Sequence, residues 1–123
     1  MTEPRPSLWL GHTSFRTTKL DETEAFLKQI GCRHIFRGDE VAVVEIRGGT
    51  HIVAALDPDH VPGDVDFDLM VEDLDGTHAS FLAQGLDVTE LERGKIHDWF
   101  YVTEPGGSRI KFNSTHVPDH DAV

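Results

Sequence analysis

The chain has one cysteine, no long apolar run and half as many basic as acidic residues, and each shortage excludes something. Cys32 alone cannot close an internal disulfide, which points to a reducing compartment. No base is visible beside it, so the thiol reads as a small core residue rather than a nucleophile. No stretch approaches the roughly 20 apolar residues that a membrane span requires, and the opening Met-Thr-Glu-Pro-Arg-Pro lacks the apolar core of an export signal. The expectation is a cytoplasmic protein with no membrane partner. Eleven basic residues against 22 acidic ones give a formal charge of −11, which opposes a polyanion and excludes nucleic acid as a partner. That acidity serves solubility, or it draws a cationic ligand into an acidic cleft.

What is present is a repeat. Leu20-Asp21-Glu22-Thr23-Glu24-Ala25 returns 54 residues later as Leu74-Asp75-Gly76-Thr77-His78-Ala79, and Gly31 is echoed by Gly85 at the same offset. Gly48-Gly49-Thr50-His51-Ile52 recurs as Gly106-Gly107-Ser108-Arg109-Ile110, offset by 58. Such self-similarity is the mark of one structural unit used twice. The 123 residues suit one domain, with module one about 8–56 and module two about 64–115.

Each module reads as strand, helix and three strands. Alternation predicts a strand over Leu8–Thr17. A helix follows with Asp21 as N-cap, Glu24 three residues on, Leu20 and Ala25 as a staple, and Gly31 as its stop. Strands are expected at Cys32–Arg37, Val41–Ile46 and Thr50–Leu56, with a turn at Gly38-Asp39. Residues 57–63, with two prolines and a glycine, read as a linker. The second module is expected to run Asp64–Val71, a helix over Leu74–Gln84 capped by Asp75, then Leu86–Leu91, Trp99–Thr103 and Arg109–Ser114. Phe26, Leu27 and Ile30 in the first helix, and Phe81 and Leu82 in the second, offer faces to the sheet. The tail from His116 onward is polar and expected to fray, its histidines free to pick up metal weakly.

Paired βαβββ units, with Leu-Asp opening each helix, Gly closing it and Pro105-Gly106-Gly107 turning into the last strand, resemble the vicinal oxygen chelate superfamily. That group includes the glyoxalase, extradiol dioxygenase and bleomycin-resistance families. The resemblance runs from about Leu10 to Asn113 and rests on His12 ahead of Leu20-Asp21, on Val71 to Asp75, and on Thr103 to Ile110. It implies an α+β fold in which two tandem βαβββ modules form an eight-stranded curved sheet around a cleft. It also implies homodimers and one divalent metal ion (Zn, Ni, Mn or Fe) held by residues on the first and last strands of each module. Carried over position by position, His12 matches well and Asp66 offers an oxygen. Val53 and Lys111 stand where the family has carboxylates and cannot ligate. A register shift of two brings in His51, and His12, His51 and Asp66 then make a two-histidine, one-carboxylate set.

Alternation lists the remaining lining. His12, Ser14 and Arg16 share one face of the first strand, while Thr13, Phe15 and Thr17 face the helix. Asp66, Asp68 and Met70 correspond in the second module. The final strands add His51, Val53 and Ala55, then Arg109, Lys111 and Asn113. Arg16 with Asp68, or Lys111 with Asp66, are candidates for mutual neutralisation. Trp99 and Tyr101 share a face, either as ordinary cross-strand packing or as a stacking wall for a planar or cationic ligand. Arg16, Asp68, Trp99, Tyr101, Arg109 and Lys111 are thus the ligand-binding candidates. Three functions follow. The first is a binding protein for a small cationic or aromatic molecule with a degenerate metal site. The second is a divalent-metal-dependent lyase, isomerase or dioxygenase acting on a vicinal-oxygen substrate. The third is a metal-free enzyme with His12 or His51 as base and Lys111 or Arg109 as oxyanion partner.

Overall fold

The computed structural model describes residues 4–115, so the tail from His116 lies outside the described residues. In chain order the elements are β1 (His12–Thr17), α1 (Leu20–Gln29), β2 (Arg33–Arg37), β3 (Val41–Glu45), β4 (His51–Leu56), β5 (Asp64–Val71), α2 (Leu74–Ala83), β6 (Asp87–Val88), β7 (Glu92–Arg93), β8 (Asp98–Thr103) and β9 (Arg109–Ser114). The fold is α+β, and the order of elements repeats. The strands form two mixed sheets rather than one. The first runs β1-β4-β3-β2, and the second β5-β9-β8-β6 with β7 also paired to β8. In each sheet the first strand pairs parallel to the last strand of its own half. Phe15 and Phe67, 6.2 Å between ring centroids, meet where β1 touches β5. Among the described residues no helix is long and apolar enough to cross a membrane.

Among the described residues nine strands stand where eight are expected, because the run Leu86–Leu91 shrinks to β6 and a separate short strand, β7, forms beyond it. Thr89 explains the shortening: Tyr101 donates its backbone N–H to Thr89 Oγ1 (2.8 Å) instead of to a carbonyl, while Thr89 N–H reaches the Tyr101 carbonyl (2.9 Å). A side chain that substitutes for the backbone acceptor ends the ladder.

Both helices span ten residues and both stop before a glycine at positive φ, Gly31 at 116° and Gly85 at 77°. Their starts differ from expectation. Asp21 does not cap α1; Lys19 holds that position with no side-chain cap, and its N–H donates to Thr17 Oγ1. Asp21 and Glu24 instead grip Arg37 on β2, at 2.6 and 3.1 Å. Asp75 likewise does not cap α2, because Arg93 takes its carboxylate. Asp73 caps, accepting from the Gly76 N–H at 2.9 Å.

The core is asymmetric between the halves. In the first, Phe15, Leu20, Phe26 and Leu27 pack on Ala42, Val44, Ile52 and Ala54; in the second, Leu74 and Phe81 pack on Phe100, Val102, Ile110 and Phe112. Phe100 and Phe112 stack 5.3 Å apart and Phe81 meets both edge-on, an arrangement that adds to area burial. Leu82, expected in this face, is 55% exposed. The seven-residue step from Leu74 to Phe81 sets the buried stripe and turns Leu82 outward.

A buried carboxylate ties the halves together. Glu104, in the β8–β9 turn, is 2% exposed. Its Oε1 accepts from Thr23 Oγ1 at 2.7 Å and its Oε2 from the Ser108 N–H at 3.1 Å. Thr17 Oγ1 lies 2.8 Å from Thr23 Oγ1 and extends the chain of hydroxyls to β1. Gly106 is required here, since a Cβ would come within 2.2 Å of Thr17 Oγ1.

Candidate functional site

Burial separates the strand faces as alternation requires. On β1, Phe15 and Thr17 are buried while His12, Ser14 and Arg16 are exposed; on β5, Asp64, Asp66, Asp68 and Met70 are exposed. On the last strands Ile52, Ala54, Ile110 and Phe112 are buried, leaving His51, Val53, Arg109 and Lys111 half-buried on the opposite face. Asn113, on the same row as Lys111, is only 3% exposed, and its Oδ1 has no hydrogen-bond partner.

The second half carries an aromatic wall already faced with cations. Trp99, Tyr101 and Thr103 on β8 stand opposite Asn113, Lys111 and Arg109 on β9. The Arg109 guanidinium lies 4.0 Å from the Tyr101 ring centroid, and Lys111 Nζ is 5.0 Å from Trp99 and 6.0 Å from Tyr101. Arg109 is also bound by Asp64 in a fork of 2.7 and 3.1 Å. That hydrogen bonding holds the Asp64 carboxyl below its ordinary range. Lys111 forms no ion pair among the described residues, although Asp68 is its backbone neighbour across the parallel ladder.

The expected neutralisations are therefore replaced by others. Arg16 pairs not with Asp68 but with Asp57 Oδ2 at 3.1 Å. That hydrogen bond, helped by the Asp59 N–H, lowers the Asp57 carboxyl from its ordinary range. Lys111 turns to the aromatic rings instead of Asp66. Asp57 was hidden by its place in a proline-bearing turn, yet the register contains it. Leu56 pairs with Thr17, and the Asp57 N–H donates to the Thr17 carbonyl, which sets its carboxylate beside Arg16.

His12 and His51 are direct partners across the parallel β1–β4 ladder, their rings edge to face with centroids 5.5 Å apart. With Leu8, Trp9, Gly11 and Gly49 they line a shallow pocket of about 440 Å³. Glu45 on β3 approaches His51 Nε2 at 3.6 Å and accepts from Arg33, which lowers its carboxyl from the usual range. Asp66 lines a different pocket, with Ser14, Arg16 and Asp64. The divalent ion implied by the resemblance does not fit these side chains: among the described residues no three of His, Cys, Asp and Glu converge as ligands. Val53 and Lys111 cannot donate to a cation, and an ammonium repels one. Cys32 is a bystander, half-buried against the core, and burial pushes its thiol up to about 11.

Two βαβββ units, each closed by a parallel pairing of its first and last strands, define the fold of the glyoxalase/bleomycin resistance/dioxygenase superfamily, the vicinal oxygen chelate fold. Solved structures share it over nearly their whole length. A lactoylglutathione lyase from Agrobacterium tumefaciens superposes with a TM-score of 0.77 at 16% identity, covering 95% of this chain and 100% of that one. The bleomycin resistance determinant encoded on transposon Tn5 gives 0.73 at 16% identity, over 88% and 98%. A superfamily member from Sphaerobacter thermophilus gives 0.75 at 13%, also over 88% and 98%. No protein-family model matches the sequence, and no curated protein does.

Proposed function

We propose that this chain is a small-molecule-binding protein that holds a planar, negatively charged or electron-rich ligand against the Trp99–Tyr101 wall. One observation carries the reading: Lys111 presents an ammonium over two aromatic rings and makes no ion pair among the described residues. The arrangement also favours one of the two ligand classes expected for the wall. A cationic ligand must displace Lys111 and Arg109 from the ring faces, whereas an anionic aromatic one meets Lys111 directly and can stack beside the indole.

Tryptophan fluorescence tests this in a Trp9→Phe background, where Trp99 is the only indole. Benzoate should quench saturably and benzylammonium should not, and Lys111→Ala should weaken benzoate about tenfold. Equal quenching by both probes, or no effect of Lys111→Ala, would refute the reading.

A second reading, a divalent-metal-dependent lyase, isomerase or dioxygenase, is favoured by the facing His12 and His51 imidazoles and needs donors beyond those on one chain. Elemental analysis of untagged protein, followed by loading with manganese, iron, nickel and zinc, decides it. Stoichiometric metal lost in His12→Ala supports the enzyme, and a protein that resists loading removes it.

A further inference from the structure

The geometry points to a second binding site, separate from the aromatic wall, for a small zwitterion that carries a carboxylate and an ammonium group. It lies where the two halves meet, in a cavity of about 290 Å³ lined by Ser14, Arg16, His60, Asp64, Asp66 and Ser108, among others. That is the space of roughly ten waters, at the small end of ligand pockets. Boundaries between structural units are where such pockets concentrate.

The charges in this pocket are incompletely spent. Asp64 is occupied on both oxygens by Arg109. Arg16 uses one terminal nitrogen on Asp57, and its side chain is 67% exposed. A guanidinium carries five N–H donors in a fork that matches a carboxylate, so Arg16 keeps donors for a second anion. Asp66 makes no hydrogen bond or ion pair among the described residues, and its two oxygens form an acceptor for an ammonium.

No ion pair joins Arg16 to Asp66, and Arg16 is engaged by Asp57 instead. Asp57 holds the guanidinium through an anchored turn, where Asp57 Oδ1 accepts from the Asp59 N–H and the Asp57 carbonyl accepts from the His60 N–H. A guanidinium with donors to spare and an unpaired carboxylate therefore line one small cavity without pairing with each other. A ligand with both charges satisfies both ends; one with a single charge leaves the other end as it was.

The test is an amide NMR titration with L-alanine, with propionate and ethylammonium as the single-charge matches. L-alanine should shift the Ser14–Arg16 and Asp64–Asp66 amides and bind at least about tenfold more tightly than either match. Asp66→Asn and Arg16→Gln should each weaken it about tenfold. Both side chains are exposed, and unchanged circular dichroism would confirm that the variants fold. Equal affinity for all three probes overturns the inference, and so does alanine binding unaltered by Asp66→Asn. Benzoate quenching of Trp99 reads the aromatic wall independently, so failure at one site leaves the other result standing.

Discussion

Lys111 shows how one residue type at one position redirects a site. A carboxylate there would face Asp68 across the ladder and extend the acidic row of β5. The ammonium instead folds over Trp99 and Tyr101, which under the proposed reading turns the wall toward anions. Lys111→Glu should therefore reverse the preference, so that benzylammonium and not benzoate quenches Trp99; an unchanged preference would show that the wall is not where the probe sits. Cys32 makes the opposite point, a reactive group silenced by place. With its thiol pushed up to about 11 by burial, little thiolate exists at pH 8. Its reaction with a disulfide reagent should be about a hundredfold slower than that of free cysteine. A rapid burst would mean that the start of β2 opens in solution.

Elements in this chain are positioned by side chains that leave their own helix or strand. Arg37 on β2 takes the two acids that sequence assigns to starting α1, and Arg93 on β7 takes Asp75. Helix starts then fall to Lys19 and Asp73. These substitutions were not legible because local capping rules rank nearby acids alike, and only the strand opposite decides which is free. The Glu104 turn acts between elements of different halves. Its oxygens receive Thr23 Oγ1 and the Ser108 N–H, both donors. Glu104→Gln keeps the shape but removes the charge that strengthens both bonds and leaves only one oxygen to accept, which costs about 1–3 kcal/mol. The midpoint of thermal unfolding should fall by several degrees, and calorimetry that finds no change would show the cluster to be dispensable.

At the scale of the molecule, an excess of acid is partly stored in ion pairs. Asp57 with Arg16, Asp64 with Arg109, Asp75 with Arg93 and Glu45 with Arg33 all have carboxyl pKa values below their unfolded ones. A depressed folded pKa gives stability that is fully present above the unfolded value, about 4, and is lost as pH falls through the folded value. Each pair is exposed and worth little alone. Opposing this, lowering the pH shrinks the net charge and relieves the self-repulsion of a −11 chain. The urea midpoint should hold or rise slightly from pH 7 to 5 and then fall below about 4. A midpoint that keeps rising to pH 3 would mean that repulsion outweighs the pairs. The resemblance also implies two copies per particle, and sedimentation equilibrium should give about twice the 13.7 kDa chain mass; a monomer at micromolar concentration would set that aside.

The repeat, the two helices with their glycine stops and the strand faces were written in periodicity and in the 54- and 58-residue echoes, because these depend on neighbours within one element, while the α+β fold came with the family resemblance that those motifs carry. So was the set of side chains on the exposed strand faces. Their partners were not. His51 stands opposite His12, Arg16 turns to Asp57, Asp66 opens into a separate pocket, and Thr89 ends a strand through its own hydroxyl. Alternation says which face a residue occupies. Which charge it meets there depends on register between strands distant in sequence and on long side chains that swing several ångströms, and packing of the whole chain alone settles both.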